Sequence, residues 1–269
     1  QARKRGLIVT SEMVLFFDLC PAPIYAVTGS DGKTTTTSII AGLLEKAGKT
    51  VHLGGNIGRP LLPEILNIAP DHVVVAELSS FQLTGMTQSP QVAVVTNLAP
   101  NHLDWHTDMQ EYIDAKRNLV AHQQPGDRAV LNLDNAITAG FAEGLKSSVF
   151  TFSRTRQVPN GAFLGKDGVL YAVQNGVRTS ILPAQEIKLP GNHNIENYLA
   201  AIAAVMEVVT ACIIAAFARE FGGVAHRCEL VRERNGVRWY NDSIGTSPSR
   251  TKAGLLAFDR KVILIAGGY

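Results

Sequence analysis

Residues Thr28 to Thr36 read TGSDGKTTT, a glycine-rich turn between an apolar run ending at Val27 and a helical pattern beginning near Thr35. A turn in that setting can hold nucleotide phosphate. Backbone N–H groups across Gly29, Ser30, Asp31 and Gly32 can turn inward onto a phosphate, and Lys33 can reach the terminal phosphates. The hydroxyl of Thr34 or Thr35 can touch a bound Mg2+. The commoner phosphate loop carries a glycine five positions before the one preceding its lysine; here that position is Val27, so this is a shorter variant. The plain alternative is a glycine-rich turn with a surface lysine. The strand-and-helix context makes ATP the expected ligand, and other residues must define the chemistry.

Glu77 ends the apolar run VVVAEL and precedes SSFQL. A carboxylate at the carboxyl end of a strand beside a phosphate loop offers hard oxygen to Mg2+, or is a surface-turn acid. His102 follows the next apolar run, in TNLAPNHLDWHTD, and arrives at the same sheet edge as a ligand or a loop residue. His106 is four positions on, but Pro100 and the loop composition do not suit a helical HxxxH zinc pair.

Lys116 interrupts an apolar stripe formed by Met109, Tyr112, Ile113, Leu119 and Val120 on a helix capped by Thr107 or Asp108, with Gln110 or Glu111 as capping-box partners. A lysine there either snorkels to water or loses its charge, since desolvation lowers a lysine pKa by roughly 3 to 5 units. A neutral amine can take up CO2 as an anionic, metal-binding carbamate. In GNHNIEN, Asn194 and Asn197 fall three apart on one helix face, as caps or as partners for a purine edge. Arg227, in an AHR triplet, could reach phosphate, and Asp242, in YNDS, could accept ribose hydroxyls.

The elements that must position these groups alternate β and α, which indicates a mostly parallel α/β sheet covered on both faces, with ligands at the strands' carboxyl ends. Strands are expected at Ile24 to Val27, Val51 to Leu53, Val73 to Leu78, Val92 to Asn97, Ala129 to Asn132 and Val149 to Phe152. KDG and QNG turns mark an antiparallel extension between Gly161 and Leu182. Helices follow at Asn194 to Val208 and Ile213 to Glu220, joined by MEVVTAC, which has no glycine or proline to turn the chain. Past Gly222-Gly223, strand Val237 to Tyr240, helix Pro248 to Phe258 and strand Lys261 to Ala266 read as one right-handed βαβ unit opening a second, Rossmann-like domain.

The 269 residues, 46% of them hydrophobic, suffice for buried cores, and a net charge of +2 without a Lys/Arg stripe argues against nucleic acid. Cys20, Cys212 and Cys228 are too far apart in sequence for a CxxC site and fit a reducing cytoplasm. No apolar run approaches the roughly 18 residues of a membrane span.

Taken in order, TGSDGKTTT, GGNIGRP, ELSSFQL, NHLDWH, Lys116, GNHNIEN, AHR and YNDS resemble the Mur ligase family of ATP-dependent amide-forming enzymes. ELSSFQL with GNIG is most similar to its D-glutamate-adding branch. The resemblance implies UDP-N-acetylmuramoyl-L-alanine and D-glutamate as substrates, and a cytoplasmic monomer making peptidoglycan precursors. It implies ATP with two Mg2+ ions, for which Mn2+ can substitute, held by Thr34, Glu77, His102 and a carbamylated Lys116. By the same resemblance Lys33, Glu77, His102 and Lys116 are catalytic, and Asn56, Ser79, Gln82 and His102 line the muramoyl substrate. Thr246 lies in the acceptor pocket, Asn194 and Asn197 near adenine, Arg227 near phosphate and Asp242 near ribose. It divides the chain into the exit of an N-terminal UDP-binding domain (1–23), a central P-loop ATPase domain (24–223) and the start of a truncated C-terminal amino-acid-binding domain (224–269). Position 244, a lysine in many relatives, is Ile244 here. A folylpolyglutamate-type ligase, another muramoyl-peptide ligase and a nucleotide-binding module that does not ligate are the competing readings.

Overall fold

The computed structural model describes residues 5–6, 10–99, 107–224, 228–243, 245, 248–258 and 260–267. Helix α1 (Glu12–Leu19) leads into strand β1 (Ile24–Thr28), and α2 (Lys33–Lys46) follows the glycine loop. The sheet continues with β2 (Val51–Gly55), β3 (Val73–Glu77), β4 (Val92–Val95), β5 (Arg128–Asn132) and β6 (Ser148–Ser153). Helices α3 (Ser80–Leu83), α4 (Met109–Ala121) and α5 (Ala136–Gly140) fall between them. Strands β7 (Gly161–Leu164), β8 (Val169–Gln174) and β9 (Val177–Pro183) complete one nine-stranded sheet of order β2-β3-β1-β4-β5-β6-β7-β8-β9. Pairing is parallel from β2 to β7 and antiparallel from β7 to β9, the expected parallel sheet with an antiparallel extension.

Every residue of β1, β3, β4 and β5 is buried, as continuous apolar strands require when both faces are covered. Alternation by two sorts them into two cores. Tyr25, Val27, Val73, Val75, Val92 and Val94 pack with α2, α6 (Asn192–Val205) and α7 (Ala211–Glu220). Ile24, Ala26, Val74, Ala76, Ala93 and Val95 face Met13 and Phe16 of α1, Tyr112 and Leu119 of α4, and Phe141. β1 lies between β3 and β4, so the loop after it opens at the carboxyl ends of internal strands of the sheet.

The seam between β6 and β7 depends on one glycine. Gly161 has φ +123°, and a Cβ there would lie 1.9 Å from the Thr151 carbonyl oxygen of the paired strand. Gly161→Ala is expected to cost about 3 kcal/mol or more. Gly168→Ala, also at positive φ but with nothing within 4 Å, is expected to cost about 1 kcal/mol from backbone strain alone. Urea midpoints of the two variants test this, and equal losses would remove the steric argument.

Three expectations require correction. β4 stops at Val95, because Thr96 and Asn97 turn away to bond the glycine loop. The MEVVTAC segment turns without glycine: Val208 and Val209 N–H both donate to the Val205 carbonyl, Val209 is buried, and Thr210 precedes α7 in extended conformation. Beyond 228, β10 (Glu229–Arg234) and β11 (Val237–Asn241) form an antiparallel hairpin before α8 (Pro248–Leu255). Asn235 and Gly236, both at positive φ, form the tight Asn-Gly turn that specifies such a hairpin. Residues 261–267 carry no strand, and Ile263 is 95% exposed: the apolar run KVILIA has no partner strand among the described residues. The βαβ unit is therefore not formed there.

Candidate active site

The glycine loop is held from the neighbouring strand end. The side-chain oxygen of Asn97 accepts from the Asp31 N–H (3.0 Å), its amide donates to the Asp31 carbonyl (3.2 Å), and its own carbonyl accepts from the Ser30 N–H (2.8 Å). Thr96 Oγ1 donates to the Asp31 carbonyl at 2.6 Å. The backbone N–H groups of Ser30 and Asp31 are thus engaged by Asn97. Gly29 and Gly32 have φ of +149° and +79°. Gly32 caps α2 with no side-chain cap bond, so the positive end of that helix opens at the loop. Lys33 folds back, donating from Nζ to the carbonyls of Gly29 (3.0 Å) and Ser30 (3.1 Å).

Glu77, 2% exposed at the end of β3, accepts from Thr34 Oγ1 at 2.7 Å and from the Asn56 amide at 2.9 Å. Thr34 rather than Thr35 meets the carboxylate; Thr35 is buried on α2. Asn56 sits after Gly55, whose φ of +95° lets the chain pass the Glu77 carbonyl, to which the Asn56 N–H donates at 2.8 Å. These bonds to a charged group are each worth about 1.5–3 kcal/mol and fix its direction.

Lys116 does not snorkel. It is 2% exposed, its Nζ stands 4.9 Å from the centre of the Tyr112 ring, and it donates to Thr28 Oγ1 at 3.1 Å. Burial first, then the nearby Lys33 charge, hold its amine well below the usual lysine range, with Glu77 pulling the other way. Asp108 caps α4 by accepting from the Glu111 N–H, and Glu111 reaches back to the N–H and hydroxyl of Thr107. Arg117 points to the exposed side, to the Glu143 carbonyl.

Asn194 and Asn197 do not cap α6; Gly191 does. Asn194 donates to the Pro190 carbonyl (2.6 Å) and accepts from Asn197 (3.1 Å), whose oxygen accepts from Thr36 Oγ1 at 3.2 Å. That oxygen lies 2.3 Å from where a Cβ on Gly32 would be, so α6 sits directly against the loop. Ser79 and Gln82 are taken up with each other in a capping box at the start of α3. Asp242 accepts from the Cys228 N–H at 3.1 Å, joining the end of β11 to the start of β10. His102, Arg227 and Thr246 lie outside the described residues.

The structure therefore brings Lys33, Thr34, Glu77 and Lys116 to one sheet edge, with Asn56 behind Glu77 and Asn197 behind the loop. Sequence reading missed Thr28, Thr96 and Asn97. Its available signal was position: each is a polar residue at the end of a buried apolar run. Among the described residues, no group of three or more His, Cys, Asp or Glu is placed to hold a metal ion.

A buried carboxylate, a folded-back lysine and a desolvated lysine thus surround a glycine loop at the carboxyl edge of a mostly parallel sheet. The family model described as Mur ligase middle domain matches residues 27–205, and the chain belongs to the Mur ligase family. It is 55% identical over 268 residues to a UDP-N-acetylmuramoylalanine--D-glutamate ligase of Acetivibrio thermocellus, a match covering all of this chain and 57% of the relative. A ligase of the same name from Clostridium beijerinckii is 52% identical over 269 residues, a match covering all of this chain and 58% of that relative. The chain thus spans under three-fifths of those relatives' length. The fold is similar to MurF from Acinetobacter baumannii (TM-score 0.71, 18% identity, 94% of this chain and 60% of that one). It is also similar to the UDP-N-acetylmuramate-alanine ligase MurC from Thermotoga maritima (TM-score 0.67, 20% identity, 96% and 60%).

Proposed function

We propose that the protein carrying this chain is an ATP-dependent ligase that adds D-glutamate to UDP-N-acetylmuramoyl-L-alanine, as a cytoplasmic monomer in peptidoglycan precursor synthesis. The observation that carries this reading is the identity of 52–55% over the whole chain to ligases of that name. Among the described residues no helix is long and apolar enough to cross a membrane. Residues 24–223 would form the central domain, with the short glycine loop as its P-loop. Residues 1–23 would be the exit from a UDP-binding domain, and 224–269 the opening of a domain for the incoming amino acid.

A carboxylate does not acylate an amine at neutral pH without a leaving group. Transfer of the γ-phosphoryl of ATP to the L-alanyl carboxylate supplies one: a C–O–P linkage forms and ADP departs. The D-glutamate amine then attacks that carbonyl carbon, phosphate leaves with its bonding electrons, and the amide forms as the amine gives up a proton. Lys33 would release its two loop carbonyls for the γ-phosphate, where its charge offsets the charge that develops in transfer. The open start of α2 would receive the β-phosphate. Glu77 and Thr34, oxygen donors 2.7 Å apart, would hold Mg2+ or Mn2+, hard cations that suit oxygen ligands. Such ions would supply charge neutralisation between the phosphates. A carbamylated Lys116 with His102 would hold a second ion. Asn56 keeps the Glu77 carboxylate aimed, and with Ser79 and Gln82 it would line the muramoyl side. Asn194 and Asn197 would border adenine, Arg227 the phosphates, Asp242 the ribose and Thr246 the acceptor.

The test is acceptor choice. With ATP and UDP-N-acetylmuramoyl-L-alanine, the protein is expected to form product with D-glutamate at least about 10²-fold faster than with L-alanine, L-lysine or L-glutamate. Preference for another acceptor would assign it to a different branch. ATP binding without amide formation for any acceptor would make it a non-ligating module.

A further inference from the structure

Thr28, the last residue of β1, has no part in the chemistry described so far. Its backbone is where the ladder between β1 and β3 runs out. The Leu78 N–H donates to the Val27 carbonyl at 2.9 Å, and one step later the Thr28 hydroxyl replaces the backbone, donating to the Leu78 carbonyl at 2.7 Å. That bond fixes the hydroxyl proton and leaves the Oγ1 lone pairs facing away from β3. Lys116 Nζ donates to one of them at 3.1 Å, and among the described residues this is its one hydrogen bond. Both residues are buried, Thr28 completely.

We propose that Thr28 is a positioning residue for Lys116: its hydroxyl, oriented by the Leu78 carbonyl, takes one N–H of the amine and so aims the rest of the nitrogen into the site, where CO2 adds. This rests on the carbamate part of the proposed function. The step balances without a further reagent. The nitrogen lone pair forms the C–N bond, one C=O π pair of CO2 becomes the carboxylate charge, and one N–H proton leaves to water. A neutral amine carries two hydrogens and the carbamate nitrogen one, so the hydrogen shared with Thr28 is the one retained. A single acceptor on a rigid strand end thus restricts the nitrogen before and after the addition. A flexible four-carbon stem would otherwise let it sample other directions.

Serine and valine separate this role from packing. Thr28→Val keeps the shape and removes the acceptor, while Thr28→Ser keeps the hydroxyl and removes a methyl. The wild-type chain and both variants are equilibrated with 13C-bicarbonate, and the carbamate carbon is followed by NMR, with Lys116→Ala as the blank and urea unfolding as a check on folding. The wild type and Thr28→Ser are expected to show the signal, and Thr28→Val a signal at least about tenfold weaker although folded. Equal signals in Thr28→Val and the wild type would overturn the positioning role and leave the carbamate intact. A signal absent from the wild type would overturn the carbamate reading and this proposal with it.

Discussion

Lys116→Met is expected to raise folding stability at pH 7 and to abolish ligation. The stability gain follows from what burial does to a lysine. The folded chain holds this amine well below its ordinary range, for which burial is the first cause, whereas the unfolded chain leaves it at roughly 10.4. Between those two values the unfolded chain binds the extra proton. Stability therefore rises with pH through that window and falls as pH is lowered. Methionine fills similar space and carries no proton. It should therefore stabilise the fold at pH 7, with the advantage shrinking as pH approaches 10. Urea titrations of both proteins at pH 7 and 9.5 measure this; a gain equal at both pH values would mean the lysine is charged in the folded state. Ligation should vanish because methionine offers neither amine nor carbamate. Lys116→Ala, which leaves space, should recover part of its activity with formate or acetate, and unaltered activity in either variant would dismiss the carbamate.

The second large effect is expected from Lys33→Ala. In the structure this side chain bonds the carbonyls of Gly29 and Ser30, contacts within its own loop that contribute little to folding. Alanine is also the better helix former at the first position of α2. Stability should change by less than about 0.5 kcal/mol, while kcat/KM for ATP falls roughly 10³-fold, the scale for losing a preorganised charge at a transferring phosphoryl group. Parallel urea and steady-state measurements check the split. Loss of folding in step with loss of activity would show that Lys33 is a structural clasp on the loop.

The central sheet was legible in sequence because β1, β3, β4 and β5 are short, wholly buried runs such as VVVAE, each ending on or just before a polar residue at the ligand edge. Lys116 was legible as a position, since a lysine in an apolar stripe stands out. That it stays buried was not, because snorkelling and desolvation share one periodicity and only the packing around Tyr112 and Thr28 separates them. Asn97 was illegible for a different reason. Its two-way bond to Asp31 joins loops that follow different strands, and nothing local to TNLAP records the partner. The S-x-x-Q box in SSFQ and the Asn-Gly hairpin at 235–236 were local signals, and reading Ser79 and Gln82 for ligands and the tail for a βαβ unit passed over them.

The contact between Gly32 and Asn197 joins two stretches of chain that ligand chemistry would treat as separate. An added Cβ at position 32 would fall 2.3 Å from the Asn197 oxygen, on a backbone whose φ of +79° already strains any side chain, so Gly32 cannot enlarge unless Asn197 gives way. Selection must then act on them together. Across diverging copies of this chain, a side chain at 32 should be tolerated only beside a smaller residue at 197, and the two positions should be inherited as one.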